Sequence, residues 1–305
     1  MKTNREEENL NILIDKYNSS NNRYNNKNIN NHQQQSGRNY GIDLLKIIAM
    51  INIINLHINL FIIKLSISSP NFKQLYCLEV FSYWPINAFG LISGIIGYKK
   101  YKFSNIIYIW FEYFYHSVVF SLYLYYKSEI DFKRFILSFF PLGITRHWYV
   151  NAYIFMYLFF PFIIKPINTI DKESFSKLII CYFFLYSIYH ILIQLNVGIT
   201  NYAFINKGNS SLWLLILFIS GGYIGRFYMQ KQECSKLKYF LIYLLSSFLT
   251  YECLFHNFEI DKIPNGILMQ THSPTIVTQA LSLIFLFSNI KISQKLLIKF
   301  ILFFK

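Results

Sequence analysis

The sequence predicts an all-α fold, a polytopic bundle of about eight transmembrane helices. Of its 305 residues, 54% are hydrophobic and only 14% are charged, and the mean hydropathy is +0.31. Ordinary soluble domains carry roughly 25% charged residues. Long apolar runs recur along the chain, each near the ~20 residues that a helix needs to cross a hydrocarbon core. A lipid bilayer is therefore the expected surrounding of most of the chain.

The apolar runs start just after residue 40 and continue almost to the end of the sequence. Runs of this length without period-2 alternation favour helices over membrane strands. Their even distribution predicts one membrane domain, residues 40–305, rather than two soluble domains. The eight predicted spans are 41–63, 75–98, 105–126, 147–165, 174–194, 209–228, 237–255 and 272–290.

Residues 1–39 differ from the rest of the chain in being polar and rich in asparagine. Such a segment buries too little apolar surface to offset the entropy lost on ordering, so we expect a disordered cytosolic tail. It lacks the basic, apolar and small-residue order of a signal peptide. The first apolar run should therefore remain in the mature protein.

The distribution of positive charge predicts how the helices are oriented. Twenty Lys and Arg residues lie on one set of alternate flanks, which includes both ends of the chain, and eight lie on the other. Because basic flanks are retained in the cytosol, both termini should be cytosolic. The net charge of +14 is spread over short connecting segments, which suits an anionic leaflet and not nucleic acid. Four dispersed cysteines without a CxxC pair predict no disulfide framework and no metal site.

The first span carries the most informative polar residues, because ionisable groups inside a span are energetically costly. Lys46 and His57 are eleven positions apart, within about 20° of three full turns, so they share a helix face about 16 Å apart along the axis. Asp43 lies one turn before Lys46 and can pair with it. The alternatives are that Lys46 snorkels to the interface and that His57 is a packing residue.

Other polar residues inside the spans are weaker candidates for a site. Glu112 and His116 are four residues apart, so a carboxylate could orient an imidazole there, although chance also produces this spacing. Trp148 and Tyr149 open an aromatic stripe, a pattern more common in packing than in substrate binding. Walker, GxSxG, HExxH and strand-linked GxGxxG motifs are absent from the sequence.

Several motifs in this order resemble the acyltransferase 3 family of membrane O-acyltransferases. The first is Gly41-Ile42-Asp43-Leu44-Leu45-Lys46, followed after ten residues by His57, where the family usually has Arg, ten residues and His. Lysine lacks the bidentate fork of arginine, so this departure bears on donor affinity more than on reaction class. The other similar segments are Phe89-Gly90-Leu91-Ile92-Ser93-Gly94, Tyr98-Lys99-Lys100, His147-Trp148-Tyr149 and Ser273-Pro274.

The resemblance implies an integral membrane enzyme that moves acetyl, or another short acyl group, from acyl-CoA to a hydroxyl of a carbohydrate or similar acceptor. Acetyl-CoA is the implied donor, and no metal is required. His57 would be the general base and Asp43 would hold Lys46. The implied donor-phosphate ligands are Lys46, Lys99 and Lys100, and the candidate acceptor ligands are Glu112, His116, Trp148 and Tyr149.

Two alternatives to an active enzyme come from the glycines and from the C-terminus. A transporter would show glycine-broken helices at matching positions of two halves, and the glycines of the second and sixth spans are the only such hint. The family usually continues into a further helix, whereas this sequence ends at Lys305. A fold shortened from ten spans to eight would either recruit a second copy as a homo-oligomer or be an inactive, acyltransferase-like protein.

The predicted orientation can be tested with single cysteines at Ser19 and Asn201. In sealed cells an impermeant thiol reagent should spare the first and label the second, because the basic flanks place the tail in the cytosol. A variant without the four native cysteines is the background. Labelling of Ser19→Cys but not of Asn201→Cys would reverse the orientation.

Overall fold

A computed structural model describes seven stretches of the chain, namely residues 39–65, 72–99, 101–141, 148–197, 206–229, 235–256 and 266–290. These stretches are mostly helical and contain no strand, so the all-α prediction is confirmed. Several predictions lie outside the described residues, namely those on the tail before residue 39, on Lys100, His147 and Asn201, and on the segment after residue 290.

The helices follow the apolar runs closely, with one short π-helical segment at Phe184–Ile188 and one 3₁₀ turn at Asn206–Gly208. The α-helices are α1 Tyr40–Leu65, α2 Phe72–Phe81, α3 Pro85–Gly97, α4 Ser104–Tyr126, α5 Phe132–Leu137, α6 Trp148–Leu158, α7 Phe160–Thr169, α8 Lys172–Phe183, α9 Tyr189–Val197, α10 Ser211–Phe227, α11 Lys236–Phe255 and α12 Pro274–Ser288.

Prolines account for two interruptions of the predicted spans. Pro85 is the first residue of α3 and follows a short break after α2, so the predicted span 75–98 consists of two helices. Pro161 lies in the first turn of α7, where α6 and α7 meet at 62°. Proline has no N–H to donate to the preceding turn, so it starts a new helix more readily than it continues one.

Among the described residues, four helical stretches are long and apolar enough to cross a membrane, and the bent pair α6–α7 would make a fifth. Helices α10 and α12 are apolar but shorter, and the predicted span 105–126 forms the Tyr-rich α4. The integral membrane class is therefore supported, while the number of eight spans stays a prediction. The four stretches are Tyr40–Leu60, Phe72–Gly97, Lys172–Leu195 and Lys236–Phe255.

Helices α3 and α10 form the centre of the core, and glycines let their backbones touch. A Cβ on Gly94 would overlap the carbonyl oxygen of Phe218, and a Cβ on Gly221 would overlap that of Leu91. Small residues at such crossings allow close van der Waals packing, which drives helix association in lipid. Both helices run unbroken through these glycines, so the glycines serve packing and do not create the broken helices expected of a transporter.

The start of α1 is tied to the end of α12. Asn39 caps α1, since its Oδ1 accepts from the backbone N–H groups of Gly41 at 3.0 Å and Ile42 at 3.2 Å. Its Nδ2 donates to the carbonyl oxygen of Ser288 at 3.1 Å. One asparagine thereby satisfies the N-terminus of the first helix and anchors it beside the last turn of α12.

A pair of glycine variants tests the contact between α3 and α10. Gly94→Ala should lower the free energy of unfolding by about 1–3 kcal/mol, because the new Cβ meets a backbone carbonyl that cannot move alone. Gly97→Ala is the matched control on the same helix, since its Cβ would lie 3.1 Å from a side-chain ring carbon of Phe218 and not against backbone.

Thermal unfolding in nanodiscs, followed by intrinsic fluorescence, measures both variants. Helix propensity favours alanine at both positions, by up to ~1 kcal/mol inside the helix at Gly94 and by less at Gly97, the last residue of α3, so it works against the expected difference. Equal unfolding midpoints for the two variants would show that the close contact does not hold the helices together.

Candidate functional site

The predicted Asp43–Lys46–His57 stripe lies on a single helix. Helix α1 is continuous from Tyr40 to Leu65, so the eleven-residue spacing places Lys46 and His57 on one face, about 16 Å apart. Nζ of Lys46 donates to Oδ1 of Asp43 at 3.2 Å, which is the pairing that their spacing predicts. The Lys46 side chain is 34% exposed, so it remains accessible from solvent or from a lipid headgroup region.

His57 lies at the surface of the described bundle rather than inside it. Its side chain is exposed, while the opposite side of α1 packs against the segment joining α2 and α3. There Ser82 Oγ accepts from Nδ2 of Asn55 at 2.9 Å and donates to Oδ1 of Asn52 at 3.1 Å. His57 is therefore open to a ligand or to lipid.

Lys46 and Lys99 lie at the same end of the bundle. Asn87 near the start of α3 contacts Thr271 just before α12, so these two helices run in the same direction. Their far ends are therefore together, and the start of α1 is tied to the far end of α12 at Ser288. Lys99 directly follows α3 and is exposed, with its Nζ 5.7 Å from the centre of the Tyr98 ring.

Arginine and tyrosine side chains bind backbone groups at this basic end. Arg226, in the last turn of α10, donates to the carbonyl oxygens of Ile167 at 2.7 Å and Ile170 at 2.6 Å. The Tyr98 hydroxyl donates to the carbonyl oxygen of Gly225 at 3.2 Å. These bonds hold the end of α10 against α7 and α3, whereas Lys46 and Lys99 are among the accessible cations at this end.

Glu112 and His116 are not brought to the stripe on α1. Both side chains are exposed on α4, whose principal neighbours are α5 and α6. His116 makes an edge-on ring contact with Tyr115, the residue beside it, at 5.6 Å. Their suggested part in acceptor binding thus stays a prediction, and the described contacts do not link it to His57.

Tyr149 belongs to an aromatic ladder along α6 that continues into the core. Successive ring centres lie 6.2 Å apart from Tyr149 to Tyr153 and from Tyr153 to Tyr157. The ladder then passes through Phe160 to Phe218, whose rings stack at 3.8 Å. Trp148 packs edge-on against Tyr149 at 5.7 Å, and both are half-buried, which is consistent with a packing role.

A buried histidine pair was not predicted from the sequence. His190 and His272 are fully buried, and Nε2 of His272 lies 2.8 Å from Nδ1 of His190. The pair depends on the π-helical segment, because Ser187 within it donates to the carbonyl oxygen of His272 at 2.6 Å. Histidines 82 positions apart carry no spacing signal, so only the fold brings them together.

Asn87 joins three elements beside that pair. Its Nδ2 donates to the carbonyl oxygen of Thr271 at 2.6 Å, and its Oδ1 accepts from Nε1 of Trp213 at 3.0 Å. Both residues of the side-chain bond are fully buried. Because both atoms of the amide have partners, Asn87 is a structural link between α3, α10 and the start of α12.

A comparison with known families finds one match, which covers most of the chain. The family model described as an acyltransferase domain matches residues 39–303, which takes in every helix from α1 to α12. Proteins of curated function and solved structures give no match. Because the match covers well over half of the chain, the protein belongs to the acyltransferase 3 family of membrane acyltransferases.

Proposed function

We propose that this family member transfers acetyl, or another short acyl group, from acyl-CoA to a hydroxyl of a carbohydrate or similar acceptor. The observation that carries the proposal is helix α1, which presents the Asp43–Lys46 ion pair and His57 on one continuous face. The family supplies the acyltransferase class, and the acyl-CoA donor and the carbohydrate acceptor are what the resemblance to that family implies.

The donor would bind at the basic end. Phosphate groups of CoA require cations that solvent can reach, and Lys46 and Lys99 are both accessible there. Asp43 keeps the Lys46 ammonium in place without closing it off. The acyl thioester at the end of the extended pantetheine arm would then lie farther along α1, toward His57, about 16 Å from Lys46.

His57 would act as the general base in a single transfer step. Its neutral imidazole takes the proton of the acceptor hydroxyl while that oxygen attacks the thioester carbonyl. The new C–O bond forms as the C–S bond breaks, and the proton passes from His57 to the leaving thiolate, which gives free CoA. A covalent acyl-histidine is the alternative route, with His57 as nucleophile.

Two substitutions at His57 test the catalytic role. His57→Ala and His57→Gln should each lower acyl transfer by roughly 10²–10⁴-fold, since neither side chain accepts a proton at neutral pH. Transfer of labelled acetyl from acetyl-CoA to membrane glycan or lipid is the activity measured. Because the side chain is exposed, the free energy of unfolding should change by only about 0.5 kcal/mol or less.

Ile58→Ala is the matched control for His57, because Ile58 is the next residue on α1 and is 53% exposed. It should keep normal transfer. Activity close to normal in His57→Gln would make His57 a surface residue without a catalytic role, and the membrane acyltransferase class would still stand on the family match.

Substitutions at Lys46 test the donor site. Lys46→Met should weaken acetyl-CoA binding roughly three- to tenfold, a modest effect because a partly exposed cation is screened. Lys46→Arg should bind at least as well as the natural protein, since the guanidinium can hold two phosphate oxygens at once. Equilibrium binding of labelled acetyl-CoA in nanodiscs measures both.

Lys177→Met is the matched control for Lys46, because Lys177 also pairs with a carboxylate of its own helix, Glu173 at 2.7 Å. It lies on α8 near the same end, where neighbouring Lys172 packs over the ring of Tyr228 just after α10. Lys177→Met should leave acetyl-CoA affinity unchanged. Equal weakening by both Met variants would mean a general charge effect in place of a donor site.

A further inference from the structure

Helix α4 has most of its surface uncovered. Its principal neighbours are α5 and α6, and of its 23 residues only Ile106 and Tyr113 are buried. It rises about 34 Å, which is long enough to cross a hydrocarbon core, but it is less apolar than the four stretches that qualify as spans. A helix of this length and polarity is poorly suited to having most of its surface in contact with lipid.

The exposed side chains of α4 include a regular row along the whole helix. Its members are spaced alternately by four and three residues, which is the heptad spacing of residues that line the seam between two paired helices. Every member of the row is exposed, and the two buried residues of the helix lie on the other side. We call this row the α4 seam; it consists of Tyr108, Glu112, Tyr115, Val119, Leu122 and Tyr126.

One member of the α4 seam is a glutamate about 12 Å from the start of the helix. Among the described residues, Glu112 has no hydrogen-bond or ion-pair partner, and its side chain is exposed. His116, one turn farther along, lies at the edge of the seam and is exposed as well. Because an ionisable group inside a span is costly in contact with lipid, Glu112 is expected to face protein.

A second copy of α4 is the partner that matches this seam. Two copies of the chain in one bilayer have the same orientation, so their α4 helices would run parallel about a two-fold axis, and each seam residue would face its own counterpart. The two Glu112 side chains would then meet, and two carboxyl groups that share a proton can bond to each other. The two His116 imidazoles, each four residues from a Glu112, add hydrogen-bond donors to the same cluster.

The seam also offers enough surface for a specific contact. Tyr108, Tyr115 and Tyr126 are 71%, 55% and 83% exposed. At ~200 Å² for each tyrosine, these side chains expose roughly 400 Å² in one copy and roughly 800 Å² in two. Val119 and Leu122, each about half exposed, bring the two seams to about 1,000 Å², the area at which a protein interface becomes specific.

We propose that α4 is the interface of a parallel homodimer, in which two α4 seams pack against each other with Glu112 and His116 at the polar centre. Interhelical hydrogen bonds and close packing are what hold membrane helices together, and the seam supplies both. The dimer does not depend on acyl transfer, nor on where the sequence ends. Glu112 is then a contact between two copies of the chain and not an acceptor ligand.

Cysteine cross-linking in native membranes tests the seam. In a variant without the four native cysteines, Val119→Cys and Leu122→Cys should each form a disulfide between copies under mild oxidation, because facing seam positions come within the roughly 4.4–6.8 Å between Cα atoms that a disulfide needs. Phe120→Cys is the matched control, since Phe120 is 64% exposed but lies about 100° around the helix from Val119. It should stay uncross-linked. Equal cross-linking at all three positions, or none at the seam positions, would overturn the proposal.

Substitution of Glu112 tests the polar centre. Glu112→Leu should weaken dimerisation roughly three- to thirtyfold, as is typical of losing a hydrogen bond between membrane helices. Glu112→Gln should dimerise almost normally, because two amide side chains also bond to each other. Glu252→Leu is the matched control, an exposed carboxylate on α11, and it should dimerise normally. Single-molecule photobleaching of the labelled full chain in liposomes, at increasing dilution in lipid, measures the dimer fraction.

The outcomes separate this interface from the proposed function. A chain that bleaches in one step at every dilution, or a dimer that Glu112→Leu leaves unchanged, would overturn the interface, and the acyltransferase proposal would stand. Dimers that depend on the α4 seam in a protein without acyl transfer would support the interface and contradict the acyltransferase proposal.

Discussion

The backbone contact between α3 and α10 determines where polar chemistry can occur in this protein. In lipid there is little hydrophobic drive to bring helices together, so close packing and interhelical hydrogen bonds must do so. Gly94 and Gly221 allow the two backbones to touch, and the same pair of helices is bonded through Asn87 and Trp213. Packed this closely, the middle of the pair has no room for substrate. Binding sites are therefore expected at the two ends and along α1.

The two ends of the bundle differ in hydrogen-bonding character, while both carry exposed lysine, such as Lys99 at one end and Lys207 at the other. Lys46 and Lys99 supply accessible cations at one end, whereas Glu79 and Gln270 supply unsatisfied acceptor oxygens at the other. Helix α1 runs between the two ends and presents His57 on the side away from the segment that joins α2 and α3.

How much the sequence predicts depends on whether the signal is local. Apolar length and the Asp43–Lys46 spacing are local, so the helices and the ion pair follow from them. The exposure of His57 cannot be predicted in this way. Helix periodicity shows which residues share a face, but not whether another helix covers that face. Glu79 is isolated in the sequence, and only the fold places it in a cavity that four parts of the chain form together. The pairing of His272 likewise needs a π-helical turn that residue spacing does not indicate.

Two buried polar residues, Asn87 and Glu79, differ in how fully their hydrogen bonds are satisfied. Asn87 is fully buried, but both atoms of its amide have partners, so burial and bonding together explain why a polar residue is there. Glu79 is almost as buried and has an oxygen with no partner in the described stretches. A leucine of similar size would be the more stable choice at that position, because a buried unpaired acceptor destabilises the fold. Stability alone therefore accounts for the asparagine but not for the glutamate.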